Sequence, residues 1–182
     1  MIKRIEAPLT DKTIKTLFSG DEILLSGIIF TARDMAHTRL VEMIKKNQIL
    51  PFNVKGSVIF YVGPSPAPPG KVIGSAGPTT SYRMDTFVED MFIAGMKGMI
   101  GKGPRSEKIV NVIKDYSGIY FGATGGAAAL LSKSIIEAEV IAFDDLGTEA
   151  VRKLRVKDMP LIVINDSYGS DLYLDGVVKY RT

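Results

Sequence analysis

Short apolar runs rich in β-branched residues alternate along this chain with segments whose apolar residues recur at helical spacing. Such an alternation of strands and helices predicts a layered α/β domain. No internal repeat or linker divides the 182 residues, so we expect a single domain over residues 1–182. The predicted strands cover residues 21–30, 57–62, 71–73, 99–100, 119–121, 135–143 and 161–165, and the predicted helices cover residues 31–46, 85–96, 106–115 (capped by Ser106) and 149–154.

Residues 74–85, with the sequence GSAGPTTSYRMD, place small residues, hydroxyl groups and Arg83 between a predicted strand and a predicted helix. Small residues let backbone N–H groups approach a ligand, and the start of a helix carries partial positive charge. The Arg83 guanidinium can hold a carboxylate or phosphate through two parallel hydrogen bonds. The segment therefore predicts a site for a small anion, although a capping turn would use the same hydroxyl groups.

Two further candidates follow predicted strands. Arg33 stands at the end of the first strand, where open α/β sheets commonly bind ligands, and His37 follows about one helical turn later. An ordinary helix start capped by Thr31 or Asp34 explains this segment equally well. Lys102 lies between two glycines, and a solvated loop lysine is the simpler interpretation of that residue taken alone.

Two other segments have simpler explanations. Residues 122–129, GATGGAAA, are similar to a phosphate loop but match neither common nucleotide-binding pattern, so close helix packing explains them better. Asp144, Asp145 and Glu149 could form an acidic pair, and capping of a helix N-terminus explains them just as well.

Composition excludes several classes of protein. The chain has no cysteine and a single histidine, so we expect no disulfide, no thiolate ligand and no metal site of its own. The net charge of +3 is spread along the chain and tryptophan is absent, which argues against a nucleic-acid-binding surface. No apolar run has membrane-spanning length and the N-terminus lacks the apolar core of a signal peptide, so we expect a soluble cytoplasmic protein.

Several motifs occur together in a specific order. TARDMAHTR is followed by GPSPAPPGKVIGSAGPTTSYRMD, MIGKG, GATGGAAAL, LGTEAVRKLRV and a final strand ending in IND. From about residue 20 to about residue 170, the chain resembles the β subunit of class I iron–sulfur fumarate hydratase and of L-tartrate dehydratase. The resemblance implies a swivelling β/β/α domain with a mixed sheet flanked by helices. It also implies a cysteine-bearing α subunit that holds a 4Fe–4S cluster, and a dimer of αβ units.

The resemblance implies a role for four residues. Arg33, Arg83 and Lys102 match positions that bind the dicarboxylate substrate, and Thr79 matches a hydroxyl group proposed to transfer a proton. A threonine hydroxyl is a weak base unless neighbouring cations lower its pKa. Tyr82 departs from the glycine expected in many relatives. His37 and Arg39 also belong to the motif TARDMAHTR, but the resemblance does not assign either of them a direct contact with the substrate.

Three functions compete at this point. The first is a catalytic β subunit that hydrates fumarate reversibly to L-malate, with the tartrate dehydratase β subunit as the alternative within the same class. The second is a non-catalytic module that binds dicarboxylates without a cluster-bearing partner. Nucleotide binding through residues 122–129 is the third and has the weakest support.

Overall fold

The computed structural model describes residues 1–123 and 128–180, without the side chains of residues 179 and 180. The strands are β1 (Lys3–Ala7), β2 (Glu22–Thr31), β3 (Val58–Phe60), β4 (Gly98–Gly101), β5 (Ile119–Gly122), β6 (Ile135–Ala142) and β7 (Val151–Asn165). The α-helices are α1 (Asp11–Ile14), α2 (Asp34–Lys45), α3 (Asp85–Ile93), α4 (Glu107–Asp115), α5 (Ala128–Lys133) and α6 (Leu172–Tyr180). Ser81–Met84 and Asp144–Glu149 form 3₁₀ helices.

The strands of the described residues form one mixed sheet in the order β1-β2-β3-β4-β5-β7-β6. Strands β1 to β5 run parallel to their neighbours, whereas β7 is antiparallel to β2, β5 and β6. Because β7 pairs with β2 as well as β5, strands β2, β3, β4, β5 and β7 form a closed circuit. The α/β class and the mixed sheet flanked by helices are confirmed.

Side chains of β3 alternate between two hydrophobic clusters. Val58 and Phe60 belong to a cluster made mainly of strand residues, which includes Leu25 of β2. Ile59 and the following Tyr61 belong to a second cluster that includes apolar residues of α2, α3 and α4. Each large side chain buried in this way contributes about 1.5–3 kcal/mol. The central strands are therefore covered on both faces, which explains why their sequences are almost continuously apolar.

The backbone of strand β1 lies close to Gly27 of β2. This residue has φ +104°, and a Cβ atom there would lie 2.3 Å from the carbonyl oxygen of Ala7. The pairing of β2 with β7 also shifts register between Leu25 and Gly27. A glycine is required because it tolerates both the positive φ and the close backbone contact.

Two predicted elements are wrong. Residues 71–73 form no strand, because hydrogen bonds between Ser65 and Ser75 close residues 65–75 into a loop. Residues 149–154 form no helix. The 3₁₀ helix ends at Glu149, and β7 begins at Val151 because it is paired with β6 on one side and β2 on the other. Tertiary pairing overrides the weak local helix preference there.

The remaining elements differ from the prediction mainly at their ends. Ser106 is the N-cap residue of α4, as predicted, although its side chain makes no capping hydrogen bond. The helix expected from residue 85 is preceded by the 3₁₀ turn that contains Arg83. Strand β1 and the helices α1 and α6 were not predicted, since the sequence around them is polar. The interpretation of residues 122–129 as a packing segment falls partly on residues 124–127, which lie outside the described residues.

Candidate active site

The segments that carry the four predicted site residues meet at one edge of the sheet. Arg33 follows β2, Lys102 follows β4, and the backbone N–H of Thr79 donates to the carbonyl of Tyr61, just beyond β3, at 2.7 Å. Strands β2, β3 and β4 are parallel neighbours, so their carboxyl ends lie together. This edge is where α/β sheets usually bind ligands.

Backbone hydrogen bonds fix the Lys102 loop against the turn of Thr79. The N–H of Lys102 donates to the carbonyl of Thr79 at 3.3 Å, and the N–H of Ser81 donates to the carbonyl of Lys102 at 2.9 Å. Thr79 is half-buried, whereas Lys102 and Thr80 are exposed. The two segments are therefore neighbours that present a hydroxyl group and an ammonium group at the same edge.

Arg83 is paired with a carboxylate of this chain. Its Nε donates to Asp34 Oδ1 at 3.1 Å, and a second nitrogen donates to Oδ2 of the same side chain. The hydrogen bond with Asp34 raises the pKa of Arg83. The Arg83 side chain remains 49% exposed. The clamp geometry expected for a ligand carboxylate is thus present, with Asp34 in the ligand's place.

Arg33 forms a longer ion pair with Glu149. Its Nη2 lies 3.5 Å from Glu149 Oε1, while Glu149 Oε2 accepts a 3.0 Å hydrogen bond from the backbone N–H of Met35. Glu149 therefore caps α2 across a long sequence separation. Neither Thr31 nor Asp34 caps this helix: its N-cap residue is Arg33, which makes no side-chain capping bond.

His37 lies beneath the site rather than in it. The side chain is 1% exposed, and its Nδ1 hydrogen-bonds the carbonyl of Arg33 at 2.9 Å. The ring meets Tyr61 edge-on and stacks against Phe87. Burial lowers the pKa of His37 to about 4, so the ring is neutral at pH 7. Its visible role is to fix the backbone of Arg33 at the start of α2.

Arg39 and Tyr82, to which no role was assigned from the sequence, lie at the surface. Arg39 donates to both carboxylate oxygens of Asp145, at 2.8 and 2.5 Å, and its guanidinium lies over the Phe143 ring. This contact ties α2 to the 3₁₀ helix Asp144–Glu149. Tyr82 is 62% exposed.

A buried group of polar residues behind the site was missed by the sequence reasoning. Arg105 is 5% exposed, and its Nη2 lies 2.9 Å from Asp85 Oδ1. Its guanidinium lies near the rings of Tyr61 and Tyr120, with distances of 5.6 and 5.3 Å to the ring centroids. Arg105 occurs three residues after Lys102, but a single arginine in a glycine- and proline-rich loop carries no signal that it will be buried.

A cleft of about 590 Å³ lies beside the candidate site, and the four predicted residues do not line it. It is bounded by the proline-rich loop, β6 and the 3₁₀ helix Asp144–Glu149. Within residues 1–123 and 128–180, no group of three or more histidine, cysteine, aspartate or glutamate side chains is arranged to hold a metal ion. The described helices include none with the length and apolar character needed to cross a membrane.

The sequence matches the protein family described as Fumarase C-terminus over residues 2–176. It is 41% identical to fumarate hydratase 2 of Leishmania major over 157 residues, which are 85% of this chain and 28% of that protein. It is 36% identical to the aerobic class I fumarate hydratase of Escherichia coli K12 over 174 residues, covering 94% of this chain and 31% of the relative. The chain thus spans less than a third of these two enzymes.

A third relative has a length closer to that of this chain. The putative L(+)-tartrate dehydratase subunit beta of Methanocaldococcus jannaschii is 41% identical over 172 residues, which cover 91% of this chain and 88% of that protein. The family match spans nearly the whole sequence and extends beyond the region from about residue 20 to about residue 170 that carries the motifs. The chain belongs to the fumarase C-terminus family, whose members include class I fumarate hydratases and a tartrate dehydratase β subunit.

Proposed function

We propose that this chain is the β subunit of a heteromeric hydro-lyase that reversibly hydrates fumarate to L-malate. The supporting observation is that Arg33 and Lys102 follow the parallel strands β2 and β4, while Thr79 is hydrogen-bonded to Tyr61 just beyond β3, which lies between them. Arg83 follows Thr79 by four residues. In this proposal the two arginines and the lysine bind the dicarboxylate, and Thr79 is the catalytic residue that transfers a proton. The names of the relatives support the reaction class.

The pairing of Arg83 with Asp34 leaves capacity for a substrate. A guanidinium has five N–H donors, and Asp34 uses two of those on Arg83. The exposed remainder can donate to a substrate carboxylate while Asp34 holds the plane of the group. Glu149 forms a longer ion pair with Arg33, whose Nη2 lies 3.5 Å from Oε1. Both carboxylates thus restrain cationic side chains that are long and otherwise flexible.

The cations also stabilise charge that develops during the reaction. Removal of the C3 proton of malate, or addition of water to fumarate, builds negative charge on one carboxylate of the substrate. Cations fixed before the reaction stabilise such charge without having to reorganise. Thr79 has its backbone held at Tyr61 and Lys102, so its hydroxyl is attached to a fixed frame. Nearby positive charge would favour its ionised form.

This chain does not fit the role of cluster ligand. It contains no cysteine, and thiolates are the usual ligands of iron–sulfur clusters. We therefore assign the 4Fe–4S cluster to a cysteine-bearing α subunit, with none bound by this chain alone. The M. jannaschii relative is named a β subunit, which supports a partner chain, and we expect a dimer of αβ units. The closed circuit of strands is consistent with the swivelling β/β/α domain that the resemblance implies.

Tartrate is the alternative substrate, because the M. jannaschii relative carries that name at 41% identity. Malate and tartrate each present two carboxylates and at least one hydroxyl group, so the same cations suit either. A non-catalytic dicarboxylate-binding module would share these cations and lack an α subunit. The ratio of activities on malate and tartrate, measured on the same preparation, separates the two enzymes.

The test is to purify the chain without oxygen from cells that express it together with its partner. We expect a complex that contains iron and hydrates fumarate. Thr79→Val should lower kcat about 100-fold or more, since general acid–base groups contribute about 10²–10⁴-fold. Thr80→Val is the matched control and should retain activity, because Thr80 is an exposed neighbour with the same side chain. Full activity of Thr79→Val would exclude Thr79 as the proton-transfer group. Hydratase activity from the pure chain alone would refute the assignment of the cluster to a partner.

A further inference from the structure

Tyr120 connects the two loops that carry the proposed substrate-binding residues. It lies on β5, its side chain is fully buried, and its hydroxyl oxygen is 2.8 Å from Ser81 Oγ and 2.8 Å from the carbonyl oxygen of Gly103. Ser81 lies between Thr79 and Arg83, and Gly103 follows Lys102. The Tyr120 hydroxyl therefore links the segment that carries Thr79 and Arg83 to the loop that carries Lys102.

The direction of these hydrogen bonds follows from their chemistry. The Gly103 carbonyl can only accept, so the single proton of the Tyr120 hydroxyl is donated to it. The Ser81 hydroxyl then donates its own proton to the Tyr120 oxygen. Burial raises the pKa of Tyr120, which keeps the phenol protonated as this arrangement requires. The result is a two-bond chain from Ser81 through Tyr120 to the Lys102 loop.

The space for this chain depends on the residue before Lys102. A Cβ atom at Gly101 would lie 1.9 Å from Ser81 Oγ, so the serine hydroxyl occupies space that any other residue would fill. Arg105 reinforces the arrangement, because its ion pair with Asp85 joins the same loop to the residue that begins α3. The guanidinium also lies near the Tyr120 ring, and Asp85 Oδ2 accepts a 3.1 Å hydrogen bond from the N–H of Ser106.

We propose that Tyr120 is a positioning residue, whose hydroxyl sets the place of Lys102 relative to Thr79 and Arg83. This inference rests on the proposed function, because it assumes that those residues act on one substrate. Tyr120 itself is buried and makes no contact with the substrate. Its effect on the reaction passes through Lys102, and loss of the hydroxyl therefore matters only while Lys102 is present.

A double-mutant cycle in the αβ complex tests this dependence. Tyr120→Phe removes one oxygen atom, and we expect kcat/KM for fumarate to fall about tenfold, the effect of losing roughly one net hydrogen bond in the transition state. In the Lys102→Ala background, the same substitution should lower kcat/KM less than about threefold, since coupled residues are not additive. Tyr116→Phe is the matched control and should leave kcat/KM unchanged. Its ring stacks on Phe92, and its hydroxyl makes no hydrogen bond to another described residue.

Each outcome of the cycle decides one of the claims. A tenfold loss that persists in the Lys102→Ala background overturns the positioning role and leaves the proposed function intact. Normal activity of Tyr120→Phe has the same consequence. If Lys102→Ala itself leaves kcat/KM unchanged, the lysine is not a substrate-binding residue, and the positioning role fails while the hydro-lyase function stands. Should Tyr120→Phe not fold, Ser81→Ala breaks the same chain at its other end and is expected to show the same dependence on Lys102.

Discussion

The buried His37 predicts a specific loss of stability in mildly acidic solution. Burial is the main cause of its low pKa of about 4, and the charge of Arg105 acts in the same direction, while the Arg33 carbonyl and Asp34 oppose them. In the unfolded chain the ring should titrate near 6.5. Between these values the unfolded state binds a proton that the folded state does not. Stability is therefore highest above pH 6.5 and falls as the pH decreases towards 4.

The size of the effect follows from the two pKa values. For one group titrating near 4 when folded and near 6.5 when unfolded, lowering the pH from 7 to 5 reduces the free energy of unfolding by about 2 kcal/mol. With a urea dependence of about 2 kcal/mol per molar, the unfolding midpoint should fall by about 1 M. Carboxylates whose pKa is lowered by a partner add their own loss only below about pH 5; they are Asp11, Asp21, Glu42 and Asp145.

Urea unfolding at pH 7, 6 and 5 measures this loss, and His37→Asn provides the control. Asparagine can still donate to the Arg33 carbonyl but carries no titrating ring, so its midpoint should change little over the same interval. Because His37 is the only histidine, its ring proton can be followed directly by NMR once any histidine tag is removed. A ring that titrates near pH 6.5 in the folded protein would refute the reasoning, as would an unchanged pH dependence in His37→Asn.

Two further substitutions test the packing and the ion pairs of the site. Gly101→Ala should reduce the free energy of unfolding by about 1–3 kcal/mol, because the added Cβ atom would displace Ser81. Gly176→Ala is the control and should not destabilise the protein, because the space around Gly176 is open. Urea unfolding of both variants measures the difference. Asp34→Asn should change stability by less than about 1 kcal/mol, since its pair with Arg83 is half exposed, but should raise KM for the dicarboxylate in the αβ complex by loosening the guanidinium. An unchanged KM would show that Asp34 does not orient Arg83.

The parts of the fold that depend on local pattern could be predicted from the sequence. Strand β2 and helix α2 have clear apolar periodicity, and the segment that joins them is short, so the place of Arg33 follows directly. Strand β7 could not be predicted in full. Its first half carries alternating charged residues and is a strand only because β2 and β6 flank it, which is information the local sequence lacks.

The electrostatic partners of the site were out of reach for the same reason. Asp34 and Arg83 are 49 residues apart, and Glu149 is 114 residues from Met35, whose backbone N–H it binds. A carboxylate beside an arginine in sequence gives no indication of which distant cation it pairs with. From the sequence, Asp34 and Glu149 each had a plausible role as a cap of the helix next to it. In the structure only Glu149 has a capping role, and it caps α2, which is distant in sequence.

The charges at this edge of the sheet can be compared with those of the proposed dicarboxylate substrate. Arg33, Arg83 and Lys102 bring three positive charges together, and Asp34 and Glu149 reduce their mutual repulsion by pairing with two of them. One net positive charge is left among these five groups, whereas a dicarboxylate carries two negative charges. The remaining compensation has to come from groups outside this set, and the exposed Arg83 and Lys102 can face such a partner. In the proposed complex, the α subunit would supply this further charge.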